Sequence, residues 1–167
     1  MNIVLTGFMG SGKSTVGKVL AEKTVREFVD LDLFIENKIS MYISDIFALM
    51  GETAFRKFES EAISELSAQE NTVIASGGGA VLNPDNVAAF KKNGIIIHLN
   101  VSAKILLERL KLDYRRPLLA GDMEQTVVSL LTQRRPVYKA VADYTIAADG
   151  TAEEVVNEIL KLSAFCS

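Results

Sequence analysis

Short apolar runs alternate with longer helical stretches along this chain. The runs are apolar on both faces, which is typical of strands buried in a parallel sheet, and they predict strands at residues 2–6, 27–30, 72–75, 95–99 and 143–146. The intervening stretches predict helices at residues 13–23, 33–38, 44–50, 52–69, 84–92, 103–110, 124–141 and 152–162. Ser44 and Ser102 each stand where a helix begins and are expected to cap it. This alternation predicts a three-layer α/β/α sandwich with ligands at the carboxyl ends of the strands.

Composition narrows the class of protein. The 167 residues predict a single domain across 1–167. No apolar run approaches the roughly 20 residues needed to cross a bilayer, and Cys166 is the one cysteine in the sequence. We therefore expect a cytoplasmic protein with no targeting segment and no membrane partner. The formal net charge of −3 argues against a nucleic-acid partner, whereas a local group of arginines suits a small anionic ligand: Arg109, Arg115, Arg116, Arg134 and Arg135.

Residues 7–14 follow the first predicted strand and match the P-loop pattern of two glycines, five apart, followed by Lys and Ser. Gly7 and Gly12 let the backbone curl round an anion, and the N-terminus of the next helix adds partial positive charge. Lys13 is expected to reach the β- and γ-phosphates of a nucleotide, and the Ser14 hydroxyl to ligate Mg²⁺. The alternative is a glycine-rich turn that binds nothing, and the order of strand, loop, Lys-Ser and helix disfavours it.

Two carboxylates follow the second predicted strand. Asp30 and Asp32 are two residues apart, so they point the same way if the chain stays extended there. One of them is expected to hold the metal, through water, and the other to face an acceptor hydroxyl. The alternative role for Asp32 is to cap the helix predicted to begin at Leu33.

Two further segments carry candidate chemistry. Residues 77–79 are three glycines after the third predicted strand, and they would let a ligand approach the backbone closely. Arg56 and Glu59 lie one turn apart near the start of a helix. They predict either a plain ion pair or an arginine that grips a carboxylate while Glu59 orients it.

The remaining features are less specific. Residues 110–124 join two helices without clean periodicity and predict a lid that excludes water, with a plain connector as the alternative. His98 lies inside an apolar strand and is expected to be a core histidine. Tyr138 and Pro136 are interpreted as packing around Arg134. One histidine and one cysteine give no zinc signature.

Together these motifs resemble the shikimate kinase family, within the nucleoside-monophosphate-kinase-like P-loop group, over nearly the whole chain. The markers occur in order as residues 7–15, Asp-Leu-Asp at 30–32, Gly-Glu with Phe-Arg and Glu at 51–59, Gly-Gly-Gly-Ala at 77–80, Arg-Pro-Leu-Leu at 116–119 and Arg-Arg-Pro-Val-Tyr at 134–138. The resemblance implies a P-loop NTPase fold with a lid and a five-stranded parallel sheet in the order 2-3-1-4-5. It also implies a mobile substrate-binding region at 33–66.

The resemblance implies phosphoryl transfer from ATP, with Mg²⁺, to the 3-hydroxyl of shikimate in aromatic amino-acid biosynthesis. Because single-domain kinases of this kind resemble monomers, it also implies a monomer. Arg109 would lie against adenine, and Arg116 on the lid would stabilise the transferring phosphoryl group together with Lys13. Asp30 would join Ser14 on the magnesium side. The nucleotide phosphates would be held by Gly10, Ser11, Gly12, Lys13, Ser14 and Thr15.

On the acceptor side, the resemblance implies that Asp32 contacts the substrate hydroxyls as the candidate base. Arg56 and Arg134 would bind the substrate carboxylate, and the backbone of Gly78 and Gly79 would contact the ring substituents. Residues 147–150, after the fifth predicted strand, depart from the family's adenine-contacting segment.

Two other functions remain open at this point. One is a kinase of the same group that acts on another small acceptor, such as gluconate or a nucleoside monophosphate; the Arg56–Glu59 pair and the three glycines argue against it. The other is a nucleotide-binding module without turnover, which would be expected to lack Lys13, Asp32 or Arg116.

Overall fold

A computed structural model describes residues 1–112, 123–163 and 165. Its five strands form one sheet in the order β2-β3-β1-β4-β5, and every neighbouring pair is parallel. This confirms the predicted three-layer α/β fold and its strand order. The strands are β1 Asn2–Thr6, β2 Glu27–Asp30, β3 Thr72–Ala75, β4 Gly94–Asn100 and β5 Tyr144–Ala147.

Helices connect the strands and cover the sheet, as right-handed crossovers between parallel strands require. They are α1 Lys13–Thr24, α2 Leu31–Ile39, α3 Ile43–Ser67, α4 Pro84–Lys92, α5 Ala103–Lys111, α6 Met123–Val141 and α7 Ala152–Leu160. A short 3₁₀ turn at Ala80–Leu82 precedes α4. None of the helices among the described residues has the length and apolar character that a membrane crossing requires.

The core lies on both faces of the central strand. Ile3, Val4 and Leu5 of β1 are completely buried, because β3 and β4 flank the strand and helices cover it above and below. A strand with two covered faces must be apolar at every position, which explains the run without alternation. Asn2 and Thr6, at the two ends of the strand, are the buried polar exceptions.

Helix starts differ from the sequence expectation in two places. Helix α2 begins at Leu31, and its cap is Asp30, whose carboxylate accepts from the amides of Asp32 and Leu33. The alternative role for Asp32, as the cap of this helix, is therefore wrong. Ser44 does not cap α3 either, because the helix starts one residue earlier, after Tyr42. Ser102 caps α5 as expected.

The two predicted helices at 44–50 and 52–69 form one element with a kink. Gly51 has φ 82° and ψ 171°, outside the helical region, between two helical segments of α3. Because of this kink, the segment Ile43–Met50 runs in a different direction from the segment that carries Arg56 and Glu59. The predicted boundary between two helices is thus present as a bend.

Strand order decides which loops meet. The segments after β1, β2 and β3 emerge at the same edge of the sheet, since parallel strands share their carboxyl ends. These are the P-loop segment, the pair of carboxylates and the glycine run. The predicted lid at 110–124, with Arg116, falls mainly on 113–122, outside the described residues.

Asn2 lies at the opposite edge of the sheet and connects β1 to Gln69 and Thr72. We predict a loss of stability when its side-chain amide is removed. Its side chain is buried, donates to Gln69 O at 2.8 Å and accepts from the Thr72 amide at 3.1 Å. Asn2→Ala should lower the free energy of unfolding in urea by about 1–3 kcal/mol, because a buried donor and acceptor lose their partner.

Asn93→Ala is the matched control. Its amide also donates to Gln69 O, at 2.9 Å, but in an exposed setting, so we expect a loss below about 1 kcal/mol. Equal losses in the two variants would contradict the role given to burial of Asn2.

Candidate active site

The P-loop segment connects β1 to α1 and is shaped by glycine. Gly10 and Gly12 have φ of 76° and 88°, in the left-handed region that favours glycine. Lys13 is the first residue of α1, so the loop leads directly to the partial positive charge of a helix N-terminus. The turn has the backbone geometry of an anion-binding loop.

The Lys13 ammonium is held within the curl of this loop. It donates to the carbonyls of Gly7 and Phe8, both at 2.9 Å, and lies 3.4 Å from Ser11 Oγ. A half-buried cation thus sits beside the helix N-terminus, and the two give this corner a concentrated positive potential.

The two residues predicted for the metal lie together. Ser14 Oγ donates to Asp30 Oδ2 at 2.5 Å, while Asp30 Oδ1 caps α2. Both are oxygen ligands, which suit Mg²⁺, an ion that keeps several waters and takes one or two protein ligands plus phosphate oxygens. The part of the chain that the structure describes contains no cluster of three or more His, Cys, Asp or Glu side chains for a metal.

The capping role of Asp30 also changes the relation between the two carboxylates. The chain turns into α2 at Leu31 instead of continuing as a strand, so Asp30 and Asp32 do not project side by side from extended backbone as expected. Asp30 faces Ser14, whereas Asp32 Oδ1 lies 3.2 Å from the position that a Cβ would take at Gly77. The helix start thus divides the two carboxylates between the P-loop and the glycine run.

A cavity of about 420 Å³ adjoins the P-loop on its other side. Arg109 lines it and connects its two walls, donating to Gly10 O at 3.2 Å and to Ala148 O at 3.3 Å. Ala148 and Gly150 line the cavity, although residues 147–150 depart from the resemblance pattern. The cavity lining consists of Gly10, Ser11, Gly12, Thr15, Val16, Arg109, Ala148, Gly150, Thr151, Ala152 and Val155.

The three glycines after β3 each face a different functional side chain. A Cβ at Gly77 would lie 3.1 Å from Glu59 Oε1 and 3.2 Å from Asp32 Oδ1; one at Gly78 would lie 3.9 Å from Arg134 Nη1. A Cβ at Gly79 would lie 2.8 Å from Arg56 Nη2, closer than side-chain carbons approach a neighbour. The glycine run is thus surrounded by the side-chain ends of residues that are predicted to bind the acceptor. At Gly79 the absence of a side chain makes room for the guanidinium of Arg56.

Arg56 is held by two carboxylates on its own helix. Nη1 donates to Glu59 Oε2 at 2.8 Å, and Nε and Nη2 donate to Glu52 Oε1 at 3.3 and 3.2 Å. The plain ion pair with Glu59 is therefore present. Glu52 was not singled out in the sequence, although its position four residues before Arg56 is a known signal for a pair on one helix face.

Glu59 is an unusual carboxylate, because only 1% of it is exposed. Burial raises its pKa above the ordinary value, and the hydrogen bond from Arg56 opposes that rise. Its Oε1 has no hydrogen-bond partner among the described residues and faces the glycine run. Such a group is expected to accept from a ligand or a water.

His98 is a core residue, as predicted. It is 2% exposed, and burial is the main cause that lowers its pKa to about 4, with Arg135 second. Its imidazole is therefore neutral at pH 7 and packs against the Tyr138 ring, with 5.3 Å between ring centroids.

Comparison with known proteins agrees with this arrangement. A family model described as shikimate kinase matches residues 9–164. A shikimate kinase of Caldanaerobacter subterraneus subsp. tengcongensis is 45% identical over 96% of this chain and 94% of its own length. The solved shikimate kinase of Acinetobacter baumannii, in complex with shikimate, is 41% identical with a TM-score of 0.90 over 96% of this chain and 90% of that chain.

A gluconokinase of Sinorhizobium meliloti also superposes, with a TM-score of 0.60 over 95% of this chain and 89% of that chain. At 20% identity it shares the fold alone. The match of the family model to nearly the whole chain, together with full-length relatives above 40% identity, shows that this chain belongs to the shikimate kinase family.

Proposed function

We propose that the protein transfers the γ-phosphoryl group of ATP to the 3-hydroxyl of shikimate, giving shikimate 3-phosphate and ADP on the route to aromatic amino acids. The observation that carries this proposal is the glycine run, against which Asp32, Arg134 and Arg56 lie, at the sheet edge shared with the P-loop. We propose further that residues 1–167 act as one kinase domain, as a monomer, and without a nucleic-acid partner.

On the donor side, the phosphates of ATP would rest in the P-loop, against the amides of residues 10–15 and the Lys13 ammonium. Lys13 would exchange its bonds to the loop carbonyls for phosphate oxygens. The base would occupy the 420 Å³ cavity, where Arg109 supplies a planar cation against which a purine can stack.

Ser14 and Asp30 are the residues that would hold Mg²⁺. When bound, the ion would neutralise charge on the β- and γ-phosphates during transfer. Because Asp30 also caps α2, the position of its carboxylate is set by the helix start as well as by Ser14.

On the acceptor side, two guanidinia face the same short stretch of backbone. Arg56 lies against Gly79 and Arg134 against Gly78, so both can meet one carboxylate from neighbouring directions. Shikimate is a compact ring with one carboxylate and several hydroxyls. The opposite end of such a ring would reach Asp32 and Glu59, which lie against Gly77.

Phosphoryl transfer passes through a loose transition state, so positioning and cations contribute more than covalent chemistry. Lys13 would stabilise charge on the transferring group. Asp32 would accept the hydrogen bond of the attacking hydroxyl and take its proton as the bond to phosphorus forms. Arg116 remains the predicted second cation, carried by a segment outside the described residues.

We predict acceptor-dependent ADP release as the primary test. With ATP and Mg²⁺, shikimate should stimulate release, while gluconate, AMP, CMP and no acceptor should not. The physical reason is the pair of arginines beside a run without side chains, which suits a compact ring that carries one carboxylate. Turnover on another acceptor without any on shikimate would retain the kinase chemistry and reject the acceptor assignment.

Asp32→Asn should lower kcat by at least about 100-fold, because the attacking hydroxyl loses its proton acceptor. Binding of ATP, measured by calorimetry, should be retained, since the carboxylate of Asp32 lies against Gly77 of the glycine run. Asp45→Asn, in the exposed first turn of α3, is the control and should behave as wild type. A nearly normal kcat for Asp32→Asn would remove that carboxylate from the reaction.

Glu52→Gln should lower the KM for shikimate. Glu52 occupies the Nε and Nη2 edge of Arg56, the edge that a substrate carboxylate needs for a bidentate contact. Its side chain is 67% exposed, and since an exposed pair contributes at most about 1 kcal/mol, the decrease should be no more than about fivefold. Glu61→Gln on the same helix is the control. A raised KM would mean that Glu52 orients Arg56 instead of competing with the substrate.

A further inference from the structure

Tyr138 has more contacts with the acceptor site than packing requires. It lies on α6 with no exposed surface, and its hydroxyl donates to Gly78 O at 2.6 Å across 60 residues of sequence. A phenylalanine would fill the same space against His98. The hydroxyl therefore serves the glycine run, because burying it without a partner would cost free energy that Phe avoids.

The same hydroxyl is linked to Arg134. Arg134 precedes Tyr138 by four residues on α6, so the two side chains share one helix face. Burial raises the pKa of Tyr138, and the charge of Arg134 and a side-chain hydrogen bond from it oppose that rise. The guanidinium of Arg134 also lies beside Gly78, with Nη1 3.9 Å from the position of a Cβ there. Tyr138 is thus hydrogen-bonded to the Gly78 carbonyl, and the guanidinium of Arg134 lies beside the same glycine.

Holding the Gly78 carbonyl also aims the next amide. The carbonyl of Gly78 and the N–H of Gly79 belong to one planar trans peptide and point in opposite directions. Glycine backbone has unusual conformational freedom, and three glycines in a row have the least intrinsic preference for one orientation. The hydrogen bond from Tyr138 to the Gly78 carbonyl therefore fixes the orientation of a peptide that glycine residues by themselves leave free to rotate.

We propose that Tyr138 is a positioning residue for the acceptor: its hydroxyl connects the Gly78 carbonyl to Arg134, so that the glycine backbone and the guanidinium meet the substrate in one arrangement. The proposal rests on the proposed function, since the acceptor is the shikimate carboxylate and ring. In this role Tyr138 would act through its two neighbours and not as a ligand of the substrate or the phosphates.

Tyr138→Phe separates this role from packing, because it removes the hydroxyl and retains the ring. The KM for shikimate should rise about tenfold, the effect of losing one hydrogen bond that involves a charged group. The KM for ATP and kcat should stay within about twofold, as the hydrogen bond of the hydroxyl goes to the glycine run. Tyr144→Phe is the matched control, since its hydroxyl pairs with Ser163 in an exposed position.

A double-mutant cycle with Arg134→Lys provides the second readout. If Tyr138 acts partly through Arg134, the Tyr138→Phe effect on the shikimate KM should be smaller in the Arg134→Lys background than in wild type. Failure of the proposed function would appear differently, as wild-type protein that does not turn over shikimate at all.

Three results would overturn the proposal. One is an unchanged shikimate KM in Tyr138→Phe. Another is a parallel change in kcat and both KM values, and the third is loss of cooperative unfolding. In the last two cases the hydroxyl would maintain the fold and not the acceptor geometry.

Discussion

The parallel alignment of the strands is the constraint on which the rest of this site depends. Because β2, β3 and β1 are neighbours and run in one direction, their carboxyl ends lie at one edge of the sheet. The segments that follow them supply the carboxylates, the glycine run and the P-loop, respectively. Each crossover helix returns the chain so that the next strand runs in the same direction. The segments that follow the strands therefore collect at one edge of the sheet, which packed helices alone would not achieve.

Three of the charged groups at this edge have hydrogen-bond partners within the chain: Asp30, Lys13 and Arg56. Ser14 donates to Asp30, Lys13 donates to loop carbonyls, and Arg56 is held by Glu59 and Glu52. A half-buried charge is costly without partners, so the fold provides them within the chain. When phosphates and a substrate carboxylate bind, these groups would exchange their partners within the chain for ligand atoms. The binding affinity would then reflect the difference in free energy between the two sets of contacts. Exposed Glu52 is the weaker partner of Arg56, and buried Glu59 the stronger one.

The glycine run contributes through what it lacks. Side chains at residues 77–79 would fill the space next to Asp32, Arg134 and Arg56. The same lack leaves the backbone without rotational preference, and a hydrogen bond from Tyr138 restrains it. The glycines thus leave room for a ligand to approach, whereas the restraint on their peptide comes from Tyr138, in a distant part of the chain. Through this division, a buried helix residue would influence the acceptor site in the way that we propose for Tyr138.

Much of the protein follows from its sequence. The apolar runs located all five strands to within one residue at each end. Burial on both faces explains the runs of β1 and β3, whereas the edge strands β2 and β5 are mostly half-buried or exposed. The glycines, Lys13 and Ser14 are informative because an anion-binding loop needs these residue types at this spacing. The strand order and the roles of Arg109, Arg116 and Arg134 came from the family resemblance, because local patterns do not specify which strands are neighbours.

Tertiary structure decided the rest. Whether Asp30 or Asp32 caps α2 depends on where the chain leaves the sheet, and the competition between strand and helix at residues 30–32 is settled by packing. The bond from Tyr138 to Gly78 joins residues 60 apart, so no periodicity in the sequence contains it. Local propensity and motif spacing act over a few residues, and they therefore determine elements and loops. Contacts between elements arise only when the helices pack on the sheet, and they set the long-range partners, such as Asp30 for Ser14 and Gly78 for Tyr138.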